Sequence, residues 1–245
     1  MSEYLLFRLY GPMAAWGDIA VGEVRPSYPH PSKSAVLGII AAALGIKREQ
    51  EEDHRKLSSG YGFAVLVHSP GIPLSDYHTA QVPPSGTGRN RRVFATRRDE
   101  IVTLPKNELK TILSRRDYRM DALYIAALWK RADAPYDLKD IADKLSSPSY
   151  ALYLGRKSCP LALPAEPQVV VADNLRDAFL KAKFSDVEEL KWLPSTGKAT
   201  LYWEEGAESG MEPQHIFERR DIPFSRKRWQ FDVRREYQTS YPEEG

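Results

Sequence analysis

The chain has 245 residues, enough for one large domain or two small ones with a proper core. Hydrophobic residues at 42% and charged residues at 28% argue against global disorder, and the single cysteine, Cys159, excludes an intramolecular disulfide and fits a reducing compartment. The longest apolar run, from Ala35 to Ile46, is too short for a bilayer, which needs roughly 20 residues. "SEYLLFRLYG" carries neither a basic n-region nor a cleavage site, so a cytosolic protein without a signal peptide is expected. A net charge of +2 says little about partners, but its distribution does: from His78 to Arg119, ten arginines and lysines stand against four carboxylates. A local basic surface on a near-neutral chain points to a polyanion held at one place, with a solvated basic loop as the plain alternative.

In chain order, "YLLFRLYGPMAAWG" reads as a first strand over residues 3 to 10 that ends at Gly11-Pro12. A loop follows that carries Met13 and Trp16, of which one is expected to meet a ligand and the other to close the core. Three prolines in "RPSYPHP" forbid a regular helix, and Ser32-Lys33-Ser34 then opens one that runs through "AVLGIIAAALG" and stops at Gly45. "YGFAVLVHS" reads as a buried second strand. From about Thr79 to Thr111 a projecting basic arm is expected, with "PPSGTG" at its centre and Arg89, Arg91, Arg92, Arg97 and Arg98 around it. "ALYIAALW" is a third strand, "DLKDIADKL" an amphipathic helix, and "YALYLGRKSCPLALP" a strand followed by a turn. This order is the split βαβ pattern of ferredoxin-like and RNA-recognition domains. The fold class expected is α+β, with a ferredoxin-like domain over 1–160 and a small β-rich domain over 161–245.

The chemistry is limited by what is missing. The histidines at 30, 54, 68, 78 and 215 are scattered and make no zinc spacing, and Gly86-Thr87-Gly88 has neither the lysine nor the helix start of a phosphate loop. Cys159 before Pro160 reads as a small buried hydrophobe. Metal-free RNA cleavage by general acid–base chemistry remains, with Tyr77-His78 at the base of the arm as the pair that would carry it. The plainer reading of His78 is a hinge or RNA contact without catalysis. The binding ingredients are more numerous. A helix N-terminus at Ser32, Lys33 and Ser34 offers N–H groups and a lysine to a phosphate. Arg156, Lys157 and Ser158 follow a glycine, Arg25 opens the proline segment, and Tyr153 and Trp16 supply stacking faces for single-stranded RNA.

The stretches "FRLYGPMAAWGD", "RPSYPHPSKSAVLGIIAAALGI", "SDYHT", "DALYIAALW" and "YLGRKSCPLA", in this order over residues 5 to 163, resemble the CasD family. Those proteins are the subunits that bind the 5′ handle of the CRISPR RNA in type I-E Cascade, an antiviral interference complex. From 164 onward the likeness is loose, with "RRDIPFSRKRW" near the end resembling the family's closing strands. The resemblance implies a ferredoxin-like palm, a protruding β-hairpin thumb at about 79–111 and a small C-terminal domain. It also implies a non-catalytic RNA-binding role that caps the backbone filament, in a cytoplasmic ribonucleoprotein. The implied partners are the CRISPR RNA, the backbone subunit, the large subunit and, through the complex, target DNA, with no cofactor, metal or membrane. In the type I-C branch the equivalent subunit is itself a metal-independent repeat endoribonuclease, which is the alternative function.

Overall fold

The computed structural model describes residues 1–84, 93–185, 190, 192–194, 198–225, 228 and 230–241. In chain order the elements are β1 (Ser2–Ala14), β2 (Trp16–Gly17), β3 (Val24–Arg25), β4 (Ser27–Tyr28), α1 (Lys33–Leu44), α2 (Glu51–Gly60), β5 (Tyr61–Ser69) and β6 (Ile72–Val82). They continue with α3 (Arg97–Val102), β7 (Lys110–Lys130), α4 (Leu138–Ser146), β8 (Gln168–Ala172), α5 (Leu175–Lys181), β9 (Ala199–Glu204), β10 (His215–Ser225) and β11 (Gln230–Tyr241).

One large sheet organises them in the order β10-β11-β9-β5-β7-β1-β8, every neighbouring pair antiparallel. β1 and β5 are near-continuous apolar runs because both of their faces are covered. Leu5, Phe7 and Leu9 pack with Phe63, Val65 and residues of α1, α2 and α4 on one face, while Tyr4 and Leu6 pack with Leu66 and α5 on the other. The Ser32 Oγ accepts the Ala35 N–H at 3.1 Å and Gly45 ends α1 at φ 79°, so the expected start and stop of this helix are both observed.

Three expectations are corrected. β1 does not end at Gly11-Pro12 but continues to Ala14, still paired with β7. β8 leaves β1 after Leu6, so Pro12 sits where that side of the strand needs no ladder donor. "YALYLGRKSCPL" is not a strand: it is a loop closed by a single Tyr153–Pro160 bridge and tied to β1 by Ala15 N–H to Leu154 O at 3.0 Å and Ala162 N–H to Tyr10 O at 3.0 Å. The strand beside β1 is β8, and with β9–β11 it belongs to the same sheet, so the expected division at residue 160 falls within one sheet instead of between two.

β6 pairs with the first half of β7 from Ile72↔Met120 to Val82↔Lys110, making a long two-stranded ladder that starts well before Thr79. Between the strands lie α3 and a short 3-10 turn at Lys106–Glu108. The part of the basic arm holding Arg89, Arg91 and Arg92 lies outside the described residues.

Candidate nucleic-acid interface

A cleft of about 850 Å³ opens over one side of α1. Ala35, Gly38, Ile39 and Ala42 make its floor, four positions that α-helical spacing places on one side of α1. Residues 15 and 17–20 form one wall, Tyr153, Gly155 and Arg156 another, and Arg219, Arg220 and Asp221 of β10 the third. Five of the candidate residues, Arg25, Ser32, Ser34, Tyr153 and Arg156, therefore meet in one place.

The loops that form the walls are tied to each other. Gly155 has φ 84°, and a Cβ there would lie 1.8 Å from the Ala15 carbonyl oxygen. The glycine therefore allows a close backbone approach to the chain's own first loop. Arg156 lies with its guanidinium carbon 4.6 Å from the centre of the Tyr118 ring and donates to the Arg25 carbonyl at 3.3 Å. Arg25 in turn bonds the Gly22 carbonyl at 2.6 Å. Arg25 and Arg156 both line the cleft with their guanidiniums held by these contacts, and Tyr153 adds an exposed ring to the lining.

The helix N-terminus departs from expectation. Lys33 is 1% exposed, and its Nζ lies 2.9 Å from Glu204 Oε2 instead of pointing at a ligand. Its backbone N–H donates to Asp221 Oδ2 at 2.8 Å, so an internal carboxylate already occupies the position foreseen for a phosphate. Ser32 spends its hydroxyl oxygen on the Ala35 N–H and lies 3.0 Å from the Ser34 hydroxyl. Sequence reasoning missed this because Asp221 is 188 positions away along the chain.

Asp221 belongs to a buried ionic cluster. Arg234 bonds both of its oxygens, at 2.7 and 2.9 Å, and reaches Glu236 at 2.5 Å. Arg219 bridges Glu236 at 3.3 Å, the His30 ring at 2.7 Å and the His30 carbonyl at 3.0 Å. Glu204 accepts from Lys33, from Arg131 at 2.8 Å and from the Phe63 N–H at 2.8 Å. Burial lowers the Lys33 pKa, against the pull of Glu204. Burial also keeps His30 neutral, and the neighbouring Arg219 adds to that effect. For Glu236 burial acts upward, but its hydrogen bond with His30 and the charges of Arg219 and Arg234 win and hold it at about 2. The cluster pins the 26–32 segment to the last hairpin and so sets the third wall.

Met13 and Trp16 separate cleanly. Trp16 is 1% exposed and packs edge-on against Tyr124 with ring centres 5.6 Å apart, so it is a core residue and not a stacking face. Met13 is half-buried on β1 opposite Met120. Lys157 and Ser158 are exposed but do not line the cleft, and Cys159 beside them is buried. Arg97 is taken up by Glu100 and the Gln81 carbonyl, while Arg98 is exposed on α3. His78 is exposed on β6 against Asp76. Tyr77 and His78 are successive residues of a paired strand, so their side chains point to opposite faces and do not converge on one reacting atom. Among the described residues no group of three His, Cys, Asp or Glu side chains is placed to hold a metal ion, and no helix is long and apolar enough to cross a membrane.

A family model described as CRISPR-associated protein (Cas_Cas5) matches residues 4–237. The chain belongs to the Cas5 family. A curated relative, the CRISPR system Cascade subunit CasD of Escherichia coli (strain K12), is 34% identical over 165 residues, covering 67% of this chain and 70% of its own. A solved structure described as a CRISPR RNA-guided surveillance complex matches with a TM-score of 0.63 and 26% identity over 97% of this chain and 90% of that one. A second, described as a Cas protein, shares the fold at a TM-score of 0.57 and 21% identity, over 98% of this chain and 95% of that one.

Proposed function

We propose that this Cas5 protein is the subunit of a type I-E Cascade complex that binds the CRISPR RNA, gripping its 5′ handle and capping the backbone filament without cleaving RNA. The observation that carries the reading is the cleft: arginines at its rim, a tyrosine ring and an apolar helical floor meet in one concave surface. Single-stranded RNA is held by this combination, with cations on phosphates and an aromatic or apolar surface for a base. Kinship with the Cascade subunit CasD and with a chain of an RNA-guided surveillance complex supports placing that RNA in a CRISPR complex.

On this reading β8-β1-β7-β5 with α1 and α4 is a ferredoxin-like palm, since the sheet order and the two crossing helices match that topology. The β6/β7 ladder is the thumb that meets a backbone subunit, and the large subunit docks near the handle so that target DNA is reached through the complex. The protein acts in the cytoplasm. The opposed faces of Tyr77 and His78 weigh against the endoribonuclease alternative. Incubating the purified chain with repeat RNA in chelator tests both parts: retention of intact RNA, with the handle preferred over a shuffled sequence, is the expected result. Specific cleavage that His78→Ala abolishes would overturn it.

A further inference from the structure

The cleft has a third wall in the C-terminal hairpin, and its charges are unequally engaged. Arg219 and Asp221 are both consumed in the buried cluster, by Glu236 and His30 in one case and by Arg234 and the Lys33 N–H in the other. Asp18 accepts the Ile19 N–H at 2.7 Å, Arg25 is bonded to its own loop, and Arg156 lies on Tyr118. Arg220 differs. It is exposed, it lines the cleft, and its guanidinium makes no hydrogen bond or ion pair among the described residues.

Its position has a local cause. The β10–β11 register runs from Arg220↔Val233 to Ile222↔Asp232, which leaves Asp221 as an extra residue in β10. Asp221 turns its carboxylate inward to α1, as Arg219 two residues earlier also turns inward, and Arg220 between them is exposed on the lining of the cleft. Asp221 holds the helix N-terminus, and next to it in sequence Arg220, a cation without a partner among the described residues, lines the same cleft as Arg25 and Arg156.

We infer that Arg220 is a phosphate-binding residue, so that RNA in the cleft is held from both sides, by the palm loops and by the C-terminal hairpin. This rests on the RNA-binding reading above and adds to it a contact in the C-terminal hairpin, beyond the motif stretches of residues 5 to 163. A guanidinium suits the role because it stays charged and can present two parallel N–H groups to one phosphate.

The test is fluorescence anisotropy of the purified full chain on labelled handle RNA and on a shuffled RNA, over a series of salt concentrations. Arg220→Gln is expected to weaken both RNAs about tenfold, because a phosphate contact carries no sequence information and a charge-assisted hydrogen bond is lost. The plot of log affinity against log salt should become shallower by about 0.7, the share of one phosphate on a single strand. Arg220→Lys should restore that slope. Arg235→Gln, which removes an exposed arginine paired with Glu205, should change neither quantity. If the wild type binds RNA and Arg220→Gln matches it in affinity and slope, the inference is overturned while the RNA reading stands. A slope that Arg220→Lys fails to restore would also overturn it. If the wild type binds neither RNA, the RNA reading itself fails and the inference falls with it.

Discussion

Lys33 lies at the helix start where the sequence offers a lysine to a phosphate, and its role can be decided by one substitution. If Lys33 held a phosphate, Lys33→Met would weaken RNA binding and leave stability almost untouched. The structure requires the reverse. At 2.9 Å the attraction between Nζ and Glu204 is about 6 kcal/mol for an effective dielectric constant near 20. Much of it is offset by the desolvation of both charges, and the net loss on removing one partner of a buried pair is about 3–5 kcal/mol. Arg131 and the Phe63 N–H stay on Glu204, so the lower end, about 3 kcal/mol, is expected here. For a chain of this size that corresponds to a melting point lower by about 6–12 °C. Circular-dichroism melts at neutral pH, with RNA affinity measured well below the transition, provide the assay. The double variant Lys33→Met with Glu204→Gln should recover part of the loss, because it no longer leaves a carboxylate short of a partner. A Lys33→Met protein that melts within about 2 °C of the wild type but binds RNA poorly would refute the reasoning.

Three further outcomes follow from the same structure. Trp16→Ala should destabilise by about 3–5 kcal/mol in urea unfolding, as removal of a buried aromatic does, whereas Met13→Ala, at a half-buried position, should cost less than about 2 kcal/mol. Gly155→Ala should lose more than about 2 kcal/mol and impair RNA binding with it, since the new methyl needs both a left-handed backbone and space that the Ala15 carbonyl occupies; an unchanged melt would contradict this. Stability should fall on acidification, since Glu236 is held at about 2 against its usual 4.5. Its contribution, about 3 kcal/mol, is fully present above pH 4.5 and lost as pH falls towards 2. His30, whose folded pKa is lowered, adds a loss in the same direction that begins as pH falls through its unfolded value of 6.5. Glu236→Gln should flatten the acid limb of a melting-point-against-pH curve, and an equally steep limb in that variant would contradict the assignment.

Local signals in this sequence were legible wherever the physics is local. The Ser32 cap and the Gly45 stop bracket α1 because both act within one helical turn. The run at Tyr61–Ser69 declares a strand buried on both faces. What failed depends on distant partners. Gly11-Pro12 looks like a strand end until β8 is seen to leave β1 at Leu6. "YLGRKSC" has strand composition, yet it is tied down by Ala15 and Tyr10 as a loop, and the plainer "QVVVA" takes the place beside β1. Lys33 reads as a ligand-facing cation because Glu204 is 171 positions away. The candidate site was half legible: Arg25, Tyr153 and Arg156 stand out by residue type in the sequence and line one cleft, while Arg220 joins them only through the long-range packing of the C-terminal hairpin on α1.

The central claim is that this Cas5 protein holds CRISPR RNA as a subunit of a Cascade-type complex. Affinity purification of the tagged full chain from its native host, followed by sequencing of the retained RNA and identification of the proteins that come with it, tests that claim most directly. A stoichiometric RNA that carries one repeat-derived 5′ handle and a guide is expected, together with several copies of a backbone subunit and one large subunit. Recovery of the chain alone, or with RNAs that share no repeat-derived end, would contradict it.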